Sequence, residues 1–362
     1  MKPWILALTL AAFVAVGCGS DNKTSDTSTT TNGGSSTSST GGGNAVALTG
    51  AGSTFVYPAM SKWTAAYQQA NPGVTINYQP VGSGAGIGQL KAGTVDFAAS
   101  DVAMSDKELS EMPGPVVQVP MISGCVTIAY NLPGIQSGLK LSGDVIADIY
   151  LGKITKWNDP RITGQNPGVN LPDTPISVAY RSDGSGTTYI FTDYLSTISP
   201  EWKAKPGKGK TIAWPVGSGQ KGNAGVAGLV KQSVGGIGYI ELAYAVQTKM
   251  TYAQVRNKSG KYVEATIDST SAAANAAVDA LKADIRTSIV DTSAPEGYPI
   301  AGFTYALVEK APKDAAKGKA VVDFLNWVLG PGQDMAKELQ YAPLPPSVVD
   351  LNKTALQAVG SK

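Results

Sequence analysis

Apolar and polar positions follow two different periods along this chain of 362 residues, and the period changes repeatedly. Val74, Ile76 and Tyr78 alternate with polar neighbours, which is typical of a half-buried strand. Just before them, apolar residues recur every three or four positions after Pro58, which predicts an amphipathic helix that ends near Asn71. Strands and helices that alternate in this way are typical of a sheet with parallel strands covered by helices.

The same patterns predict further elements along the chain. Strands are predicted at residues 46–48, 95–97, 125–130, 176–180, 237–240 and 299–308. Helices are predicted around residues 87–90, 144–150, 187–195, 224–231 and 321–329. Another helix is predicted to begin at a capping box formed by Ser105 and Glu108. No repeat of fixed period is visible, so the chain is predicted to be an α/β protein.

Four predicted strands are each followed by a turn rich in glycine and hydroxyl residues. The turns are TGAGSTF (residues 49–55), GSGAG (82–86), ASD (99–101) and RSDGSGT (181–187). Glycines allow backbone N–H groups to converge without a Cβ in the way, and Ser or Thr hydroxyls add donors. Ligands of open α/β sheets bind beyond the carboxyl ends of the strands. The four turns therefore predict a site for a small, oxygen-rich anion.

The first and last of these turns supply most of the candidate donors. Thr54 offers its hydroxyl and Phe55 its backbone N–H at the start of a predicted helix, although Thr54 could simply cap that helix. Arg181 offers a fork of five donors suited to an oxyanion, and Asp183 could hold that fork in place. The alternative for this pair is a solvated ion pair in a surface turn.

Ser185, Gly186 and Thr187 continue the last turn and offer hydroxyl and backbone donors at a helix start. Ser83 lies among glycines that superficially suggest a dinucleotide-binding motif. Their spacing is Gly-x-Gly-x-Gly-x-Gly, however, and differs from the Gly-x-Gly-x-x-Gly of that motif. An anion-binding turn fits this spacing better.

Asp101 is the unusual member of the set, because a carboxylate repels an anion. It fits the site only if the ligand carries a proton that the carboxylate can accept. Phosphate carries such a proton near neutral pH and sulfate does not, so Asp101 favours phosphate and penalises sulfate. The alternative is that Asp101 caps the turn that follows it.

Composition excludes several classes of function. The chain contains no histidine, which excludes Ser-His and Cys-His catalysis and His-ligated metals. It also shows no cluster of Asp or Glu spaced as metal ligands, so neither a metal nor another cofactor is expected. The net charge of +2, with no run of Lys or Arg, gives no sign of nucleic-acid binding. Cys125 lies in an apolar stretch and is interpreted as a small buried core residue.

The first 44 residues predict export rather than folded structure. Residues 1–17 form a predicted signal peptide, whose apolar run is too short to cross a bilayer. The segment before Cys18 resembles the lipobox of bacterial lipoproteins, although Ala15 stands where Leu is usual. Cys18 is therefore a candidate lipid anchor, with release by an ordinary signal peptidase as the alternative. Residues 18–44 are rich in Ser, Thr and Gly and are predicted to form a flexible linker.

The motifs resemble those of the phosphate-binding protein of the bacterial high-affinity phosphate ABC transporter. The similarity runs from residue 48 to about 349 and includes, besides the turns above, VGSGAGI (81–87), VDFAASD (95–101), DIYLGKITKWNDPRI (148–162) and GGIGYIE (235–241). In this family, phosphate contacts fall on the positions of Thr54, Phe55, Ser83, Asp101, Arg181, Ser185, Gly186 and Thr187. The position of Asp183 holds the residue that pairs with the arginine.

The resemblance implies a two-lobed fold of the periplasmic binding protein type II class, with the ligand clamped in the cleft. Lobe I would comprise residues 45–122 and 296–362, and lobe II residues 123–295. It also implies a monomeric extracytoplasmic protein that is not an enzyme and delivers phosphate to membrane permease subunits. Three alternatives remain at this point: a phosphate-handling enzyme, a receptor for another oxyanion such as sulfate or molybdate, and a lipoprotein with a sensing or adhesive role.

Overall fold

The computed structural model describes residues 45–361 of the chain. The predicted signal peptide (1–17), the candidate anchor Cys18 and the predicted linker (18–44) lie outside the described residues. The strands in chain order are β1 (Val46–Gly52), β2 (Val74–Gln79), β3 (Phe97–Ser100), β4 (Val116–Asn131), β5 (Lys140–Leu141), β6 (Ser177–Arg181), β7 (Ser218–Gln220), β8 (Gly236–Glu241), β9 (Thr251–Tyr252), β10 (Gln254–Arg256), β11 (Tyr262–Val263) and β12 (Ala301–Glu309).

The helices lie between and after these strands. In chain order they are α1 (Tyr57–Ala70), α2 (Ser83–Lys91), α3 (Asp106–Ser110), α4 (Gly143–Tyr150), α5 (Pro160–Thr163), α6 (Gly186–Ile198), α7 (Pro200–Ala204), α8 (Gly222–Gln232), α9 (Leu242–Gln247), α10 (Ile267–Ala276), α11 (Val278–Ala283), α12 (Ala315–Val328), α13 (Pro331–Lys337) and α14 (Pro346–Leu356).

One large mixed sheet runs in the order β2-β1-β3-β12-β4-β8-β6-β7, and β9 pairs with β4. A small separate sheet contains β11, β10 and β5. Strand β4 lies in the middle of the large sheet and joins its two parts, because it pairs with β12 as far as Cys125 and with β8 from Val126 onward. We call β2, β1, β3 and β12 the first half-sheet, and β8, β6 and β7 the second half-sheet.

The α/β class is confirmed, and the parallel strands expected from the sequence lie in the outer parts of both half-sheets. Strand β1 pairs in parallel with β2 and β3, and β6 pairs in parallel with β7 and β8. At the centre, for which the sequence predicts no strand direction, β12 runs antiparallel to β3 and β4, and β4 runs antiparallel to β8. The reason is that β4 carries the chain into the second half-sheet and β12 carries it back.

Local signals along the sequence are confirmed where they are strongest. Helix α1 begins at Tyr57 with Pro58 in its first turn, where the missing N–H of proline costs nothing. The capping box is present, since Ser105 accepts from the Glu108 N–H while the Glu108 side chain accepts from the Ser105 N–H. Elements that continue beyond an apolar run are longer than predicted, as in β4, which begins at Val116.

Aromatic residues fill the core behind the second half-sheet. Phe191 of α6 stacks on Tyr239 of β8 with ring centroids 4.4 Å apart, and Tyr150 of α4 meets Phe191 edge to face at 4.8 Å. This packing holds α6 against β8 and α4. Cys125 is buried in β4, as predicted, and has no disulfide partner among residues 45–361; burial raises the pKa of its thiol.

All described residues belong to one compact unit. The division into lobe I and lobe II with the bounds given above stays a prediction. Across residues 45–361, no helix is both long and apolar enough to cross a membrane.

Candidate functional site

The four predicted turns lie at the carboxyl ends of β1, β2, β3 and β6, as predicted, but parts of them are regular structure: residues 49–52 belong to β1, 99–100 to β3 and 83–86 to α2. Because β1, β2 and β3 are parallel neighbours, their carboxyl ends lie at one edge of the first half-sheet. The turn after β6 meets them from the second half-sheet, where the Gly84 N–H donates to the Gly184 carbonyl at 2.9 Å. The backbones touch so closely that a Cβ on Gly84 would lie 3.2 Å from Gly184 Cα. The structure thus brings the four turns together.

Ser83 joins three of these turns. It is the first residue of α2 and is fully buried. Its Oγ accepts hydrogen bonds from the backbone N–H of Asp101 at 3.3 Å and of Gly186 at 3.1 Å. The glycines beside Ser83 allow close backbone packing, since a Cβ on Gly86 would lie 2.5 Å from Gly52 Cα.

Asp101 follows β3 and has only 3% of its surface exposed. Its Oδ1 accepts hydrogen bonds from Ser53 Oγ and from Thr304 Oγ1, the latter at 2.9 Å. Within residues 45–361, no hydrogen bond of standard geometry reaches its Oδ2, although the Ser83 hydroxyl lies near the carboxyl group. Burial raises the pKa of Asp101 to about 6, although the hydroxyls of Ser53, Thr304 and Ser83 and the charge of Arg181 act in the opposite direction. The carboxyl group is therefore mostly ionised at neutral pH and keeps one oxygen as a free acceptor.

The alternative role for Asp101, as a cap of the turn that follows it, is wrong. Ser100 holds that turn, because its Oγ donates to the Val102 carbonyl at 2.6 Å and accepts from the Val102 N–H at 3.4 Å. Both hydrogen bonds lie within two residues of Ser100, as in the local turns that serine commonly forms. The Asp101 carboxyl is thereby left to the site.

Arg181 and Asp183 form a bidentate ion pair, with Nε to Oδ1 at 2.7 Å and Nη2 to Oδ2 at 2.6 Å. Only 1% of the arginine side chain is exposed, so the alternative of a solvated surface pair is wrong. Burial opposes the charge of Asp183, but the hydrogen bonds from Arg181 outweigh it and hold the pKa of Asp183 below its usual value. The third nitrogen, Nη1, donates to Thr187 Oγ1 at 3.3 Å. Asp183 therefore fixes the orientation of the guanidinium.

Thr54 and Phe55 lie between β1 and α1. Thr54 Oγ1 accepts from the Asn223 backbone N–H at 3.2 Å and from Asn223 Nδ2 at 2.9 Å. Ser53 Oγ, and not Thr54, accepts the N–H groups that precede α1, those of Phe55 at 2.9 Å and Val56 at 3.3 Å. The alternative of Thr54 as the helix cap is therefore wrong. For Phe55 to bind a ligand through its N–H, the hydrogen bond to Ser53 must be shared or exchanged.

Ser185, Gly186 and Thr187 form the start of α6, and all three are buried. Ser185 is the N-cap, and its Oγ accepts from the Thr188 N–H at 3.0 Å. The Gly186 N–H, a predicted ligand donor, points to Ser83 Oγ in this structure. A Cβ at Gly186 would lie 2.6 Å from both Cβ and Oδ2 of Asp101. Glycine is therefore required for α6 to approach Asp101 this closely.

Three tyrosine hydroxyls hold the backbone of residues 53–55. Tyr78 donates to the Ser53 carbonyl at 2.9 Å, Tyr244 to the Thr54 carbonyl at 2.6 Å and Tyr341 to the Phe55 carbonyl at 2.5 Å. They come from β2, α9 and the segment after α13. With its carbonyls tied on three sides, this turn is held in a single orientation.

Sequence reasoning missed the residues that hold the predicted set in place, chiefly Asn223, Thr304 and the three tyrosines. Asn223 had a signal, since it follows Gly222, the first residue of α8, soon after β7, the same order of strand, glycine and helix as the other turns. Thr304 lies inside β12 with no turn beside it. Its contact with Asp101 spans 203 residues of sequence and depends on the pairing of β12 with β3.

The assembled groups suit the binding of a small oxyanion. They comprise four hydroxyls, backbone N–H groups at two helix starts, one positive guanidinium and one carboxylate with a free oxygen. Hydroxyl and N–H donors bind anions, and the carboxylate can accept a proton that the anion carries. Among residues 45–361, no group of His, Cys, Asp and Glu is arranged to hold a metal ion.

Comparisons with known proteins give a consistent result. A family model described as the PBP superfamily domain matches residues 24–331. A protein of Xylella fastidiosa named "Phosphate-binding protein PstS" is 43% identical over 355 residues, which cover 96% of this chain and 97% of that protein. A protein of the same name from Pasteurella multocida is 43% identical over 306 residues, which cover 84% of this chain and 88% of that protein.

A solved structure with a similar fold comes from Clostridium perfringens and is described as a putative phosphate ABC transporter substrate-binding protein with bound phosphate. The TM-score is 0.60 at 22% sequence identity, and the match covers 83% of this chain and all of that one. At this identity the likeness concerns the fold alone.

Proposed function

We propose that this chain, which belongs to the phosphate-binding protein family of the PBP superfamily, captures inorganic phosphate outside the cytoplasm and delivers it to an ABC permease for import. The observation that carries the proposal is the state of Asp101. Its Oδ1 is occupied by two hydroxyls, while its Oδ2 accepts no standard hydrogen bond from residues 45–361 and lies close to Gly186 at the start of α6. A site with many donors and one fixed acceptor matches an oxyanion that carries a proton.

The proposed phosphate contacts are the hydroxyls of Thr54, Ser83, Ser185 and Thr187, the N–H groups of Phe55 and Gly186, the guanidinium of Arg181 and the carboxylate of Asp101. Asp183 holds Arg181 without touching the ligand. Burial makes each contact worth more than in water and makes an unpaired group costly. A fully deprotonated anion such as sulfate would leave Asp101 facing another negative charge, which explains how such a site rejects sulfate.

Binding is proposed to be reversible closure of two lobes, residues 45–122 with 296–362 and residues 123–295, joined through β4 and β12. Several contacts between these two groups of residues support this proposal. They include the hydrogen bond from Gly84 to Gly184 and that from Gly186 to Ser83. A ligand that touches both groups stabilises the closed form by its differential affinity for it. The closed form is then the one offered to the permease.

The protein is proposed to act as a monomer held at the membrane through a lipid on Cys18, with residues 18–44 as the tether. The lipobox-like segment before Cys18 supports this anchor. Release of the mature protein by cleavage near the same position is the alternative. Metabolic labelling with a radioactive fatty acid distinguishes the two, because label on the wild type but not on Cys18→Ala is expected for a lipid anchor.

The function is tested by calorimetric titration of the purified protein, freed of bound anion, with phosphate and separately with sulfate near pH 7. We expect one phosphate per chain and negligible heat with sulfate. Sulfate binding as tight as phosphate binding would refute the role of Asp101 as the acceptor of a ligand proton. Binding of neither anion would favour the sensing or adhesive alternative. Turnover of a chromogenic phosphate ester would instead support the enzyme alternative.

A further inference from the structure

Asn223 is a buried side chain that contacts two residues of the candidate site, Thr54 and Thr187, but does not itself belong to the predicted set. It is the second residue of α8, and none of its side-chain surface is exposed. The Glu241 backbone N–H donates to its Oδ1 at 3.0 Å. Because Oδ1 must face that donor, the amide orientation is determined and Nδ2 faces the site.

The Nδ2 group uses its two hydrogens on two hydroxyls from opposite half-sheets. It donates to Thr54 Oγ1 at 2.9 Å and to Thr187 Oγ1 at 3.1 Å. Thr54 follows β1 of the first half-sheet, and Thr187 lies in α6, which follows β6 of the second. One amide therefore sets the positions of two hydroxyls that lie 133 residues apart, counted from residue 54 to residue 187.

A count of hydrogens shows what this arrangement does to the two hydroxyls. A threonine hydroxyl has one hydrogen to donate and two lone pairs that can accept. Thr54 Oγ1 accepts from both the backbone N–H and the Nδ2 of Asn223. Thr187 Oγ1 accepts from Asn223 Nδ2 and from Arg181 Nη1. Both hydroxyls have filled acceptor positions, so each has only its own hydrogen left to offer.

We infer that Asn223 is a positioning residue that determines which hydroxyls of the phosphate site act as hydrogen-bond donors. This inference rests on the proposed function. It turns the hydroxyls of Thr54 and Thr187 into obligate donors, which suits the acceptor oxygens of the anion. A proton on the ligand then finds no acceptor at either threonine, and Asp101 Oδ2 is left to accept it. Asn223 thus sharpens the selection of a protonated anion without touching it.

The test replaces the donor amide by an acceptor of the same size. In Asn223→Asp the carboxylate accepts the hydrogens of Thr54 and Thr187 and turns them away from the ligand. Loss of two buried hydroxyl donors, at about tenfold each, predicts phosphate affinity lower by about 100-fold. Asn223→Ala removes the Nδ2 donor without adding charge and predicts a loss of about 10-fold or more.

Asn352→Ala is the matched control. Asn352 is also a buried asparagine, with 1% of its surface exposed, and its Nδ2 donates to the Pro120 carbonyl at 2.6 Å. Neither Asn352 nor Pro120 belongs to the candidate set. Calorimetry gives the phosphate affinity, and circular dichroism checks that each variant is folded. We expect the Asn223 variants to lose affinity and Asn352→Ala to bind as the wild type does. If Asn223→Asp does not fold, Asn223→Ala alone decides.

Lowering the pH gives a second readout that a merely structural role would not change. Protonation of the carboxyl introduced in Asn223→Asp restores one donor, so the affinity ratio of wild type to variant should shrink toward pH 5. Folded Asn223 variants that bind phosphate within about threefold of the wild type would overturn the inference. An equal loss in Asn352→Ala would overturn it as well. Failure of the wild type to bind phosphate would refute the proposed function instead.

Discussion

Replacement of Asp101 by Asn tests the acceptor role of this carboxylate most directly. The variant keeps the size of the side chain and removes its charge. Ser53 and Thr304 both donate to Oδ1, so the amide oxygen of the variant should occupy that position. The amide nitrogen then lies where Oδ2 lies now, close to Gly186, and faces the ligand as a donor. The one acceptor of the site is replaced by a donor.

The magnitude follows from the hydrogen bond that is lost. A hydrogen bond to a charged group contributes about 1.5–3 kcal/mol, which corresponds to a factor of about 10–150 in affinity. We therefore expect the preference for phosphate over sulfate to fall by at least this factor, because sulfate also gains a donor and no longer meets a negative charge. The donors of the other turns keep their positions, so phosphate should still bind measurably.

The assay is calorimetric titration of wild type and Asp101→Asn with phosphate and sulfate at pH 7 and constant ionic strength. Constant salt matters because screening alters charge interactions. Asp96→Asn is a suitable control, since it removes a carboxylate from the opposite end of β3, where Asp96 accepts the Thr49 N–H and pairs with Lys317. A folded Asp101→Asn that keeps the wild-type ratio of phosphate to sulfate affinity would refute the acceptor argument.

Three further predictions follow from the surroundings of Asp101. Its pKa of about 6 exceeds the ordinary 3.8, so its protonated fraction, which can donate to sulfate, rises about tenfold from pH 7 to pH 5, and sulfate affinity should rise with it in calorimetric titrations. Sulfate affinity independent of pH from 5 to 8 would contradict the assignment. The raised pKa also means that protonated Asp101 adds to the free energy of unfolding of the ligand-free protein; this contribution is complete below about pH 3.8 and is lost as the pH rises through 6. Gly186→Ala places a Cβ 2.6 Å from Asp101 Cβ and Oδ2, and overpacking of about 1–3 kcal/mol should weaken phosphate binding by about 5- to 150-fold, measured by calorimetry. Gly88→Ala, whose Cβ meets no atom within 4 Å, should bind as the wild type does, and equal affinities in both variants would show that the approach of α6 to Asp101 is unimportant.

Short-range patterns in the sequence were sufficient to predict several parts of this protein. The alternation at Val74, Ile76 and Tyr78 marks β2, and the capping box at Ser105 and Glu108 marks α3. The glycine-rich turns lie at strand ends, as predicted, and the structure buries their candidate residues together. These signals work because helix caps, strand periodicity and tight turns depend on residues only a few positions apart.

Other features depend on residues that are far apart in sequence. The antiparallel centre of the sheet follows from the order in which β4 and β12 cross between the half-sheets, and no local pattern records that order. The sequence likewise does not decide whether Asp101 caps its own turn or faces the site. The hydrogen bonds that Ser53 and Thr304 donate to it decide this.

The sequence by itself determined the fold class, the family and the group of residues that form the candidate site. Only the tertiary structure decided how these residues are oriented, because hydrogen bonds such as those of Asn223 to Thr54 and Thr187 join separate elements. The direction of each hydroxyl depends on which donors already occupy its lone pairs. Those donors are brought into place by the packing of the two half-sheets, and no local sequence pattern specifies that packing.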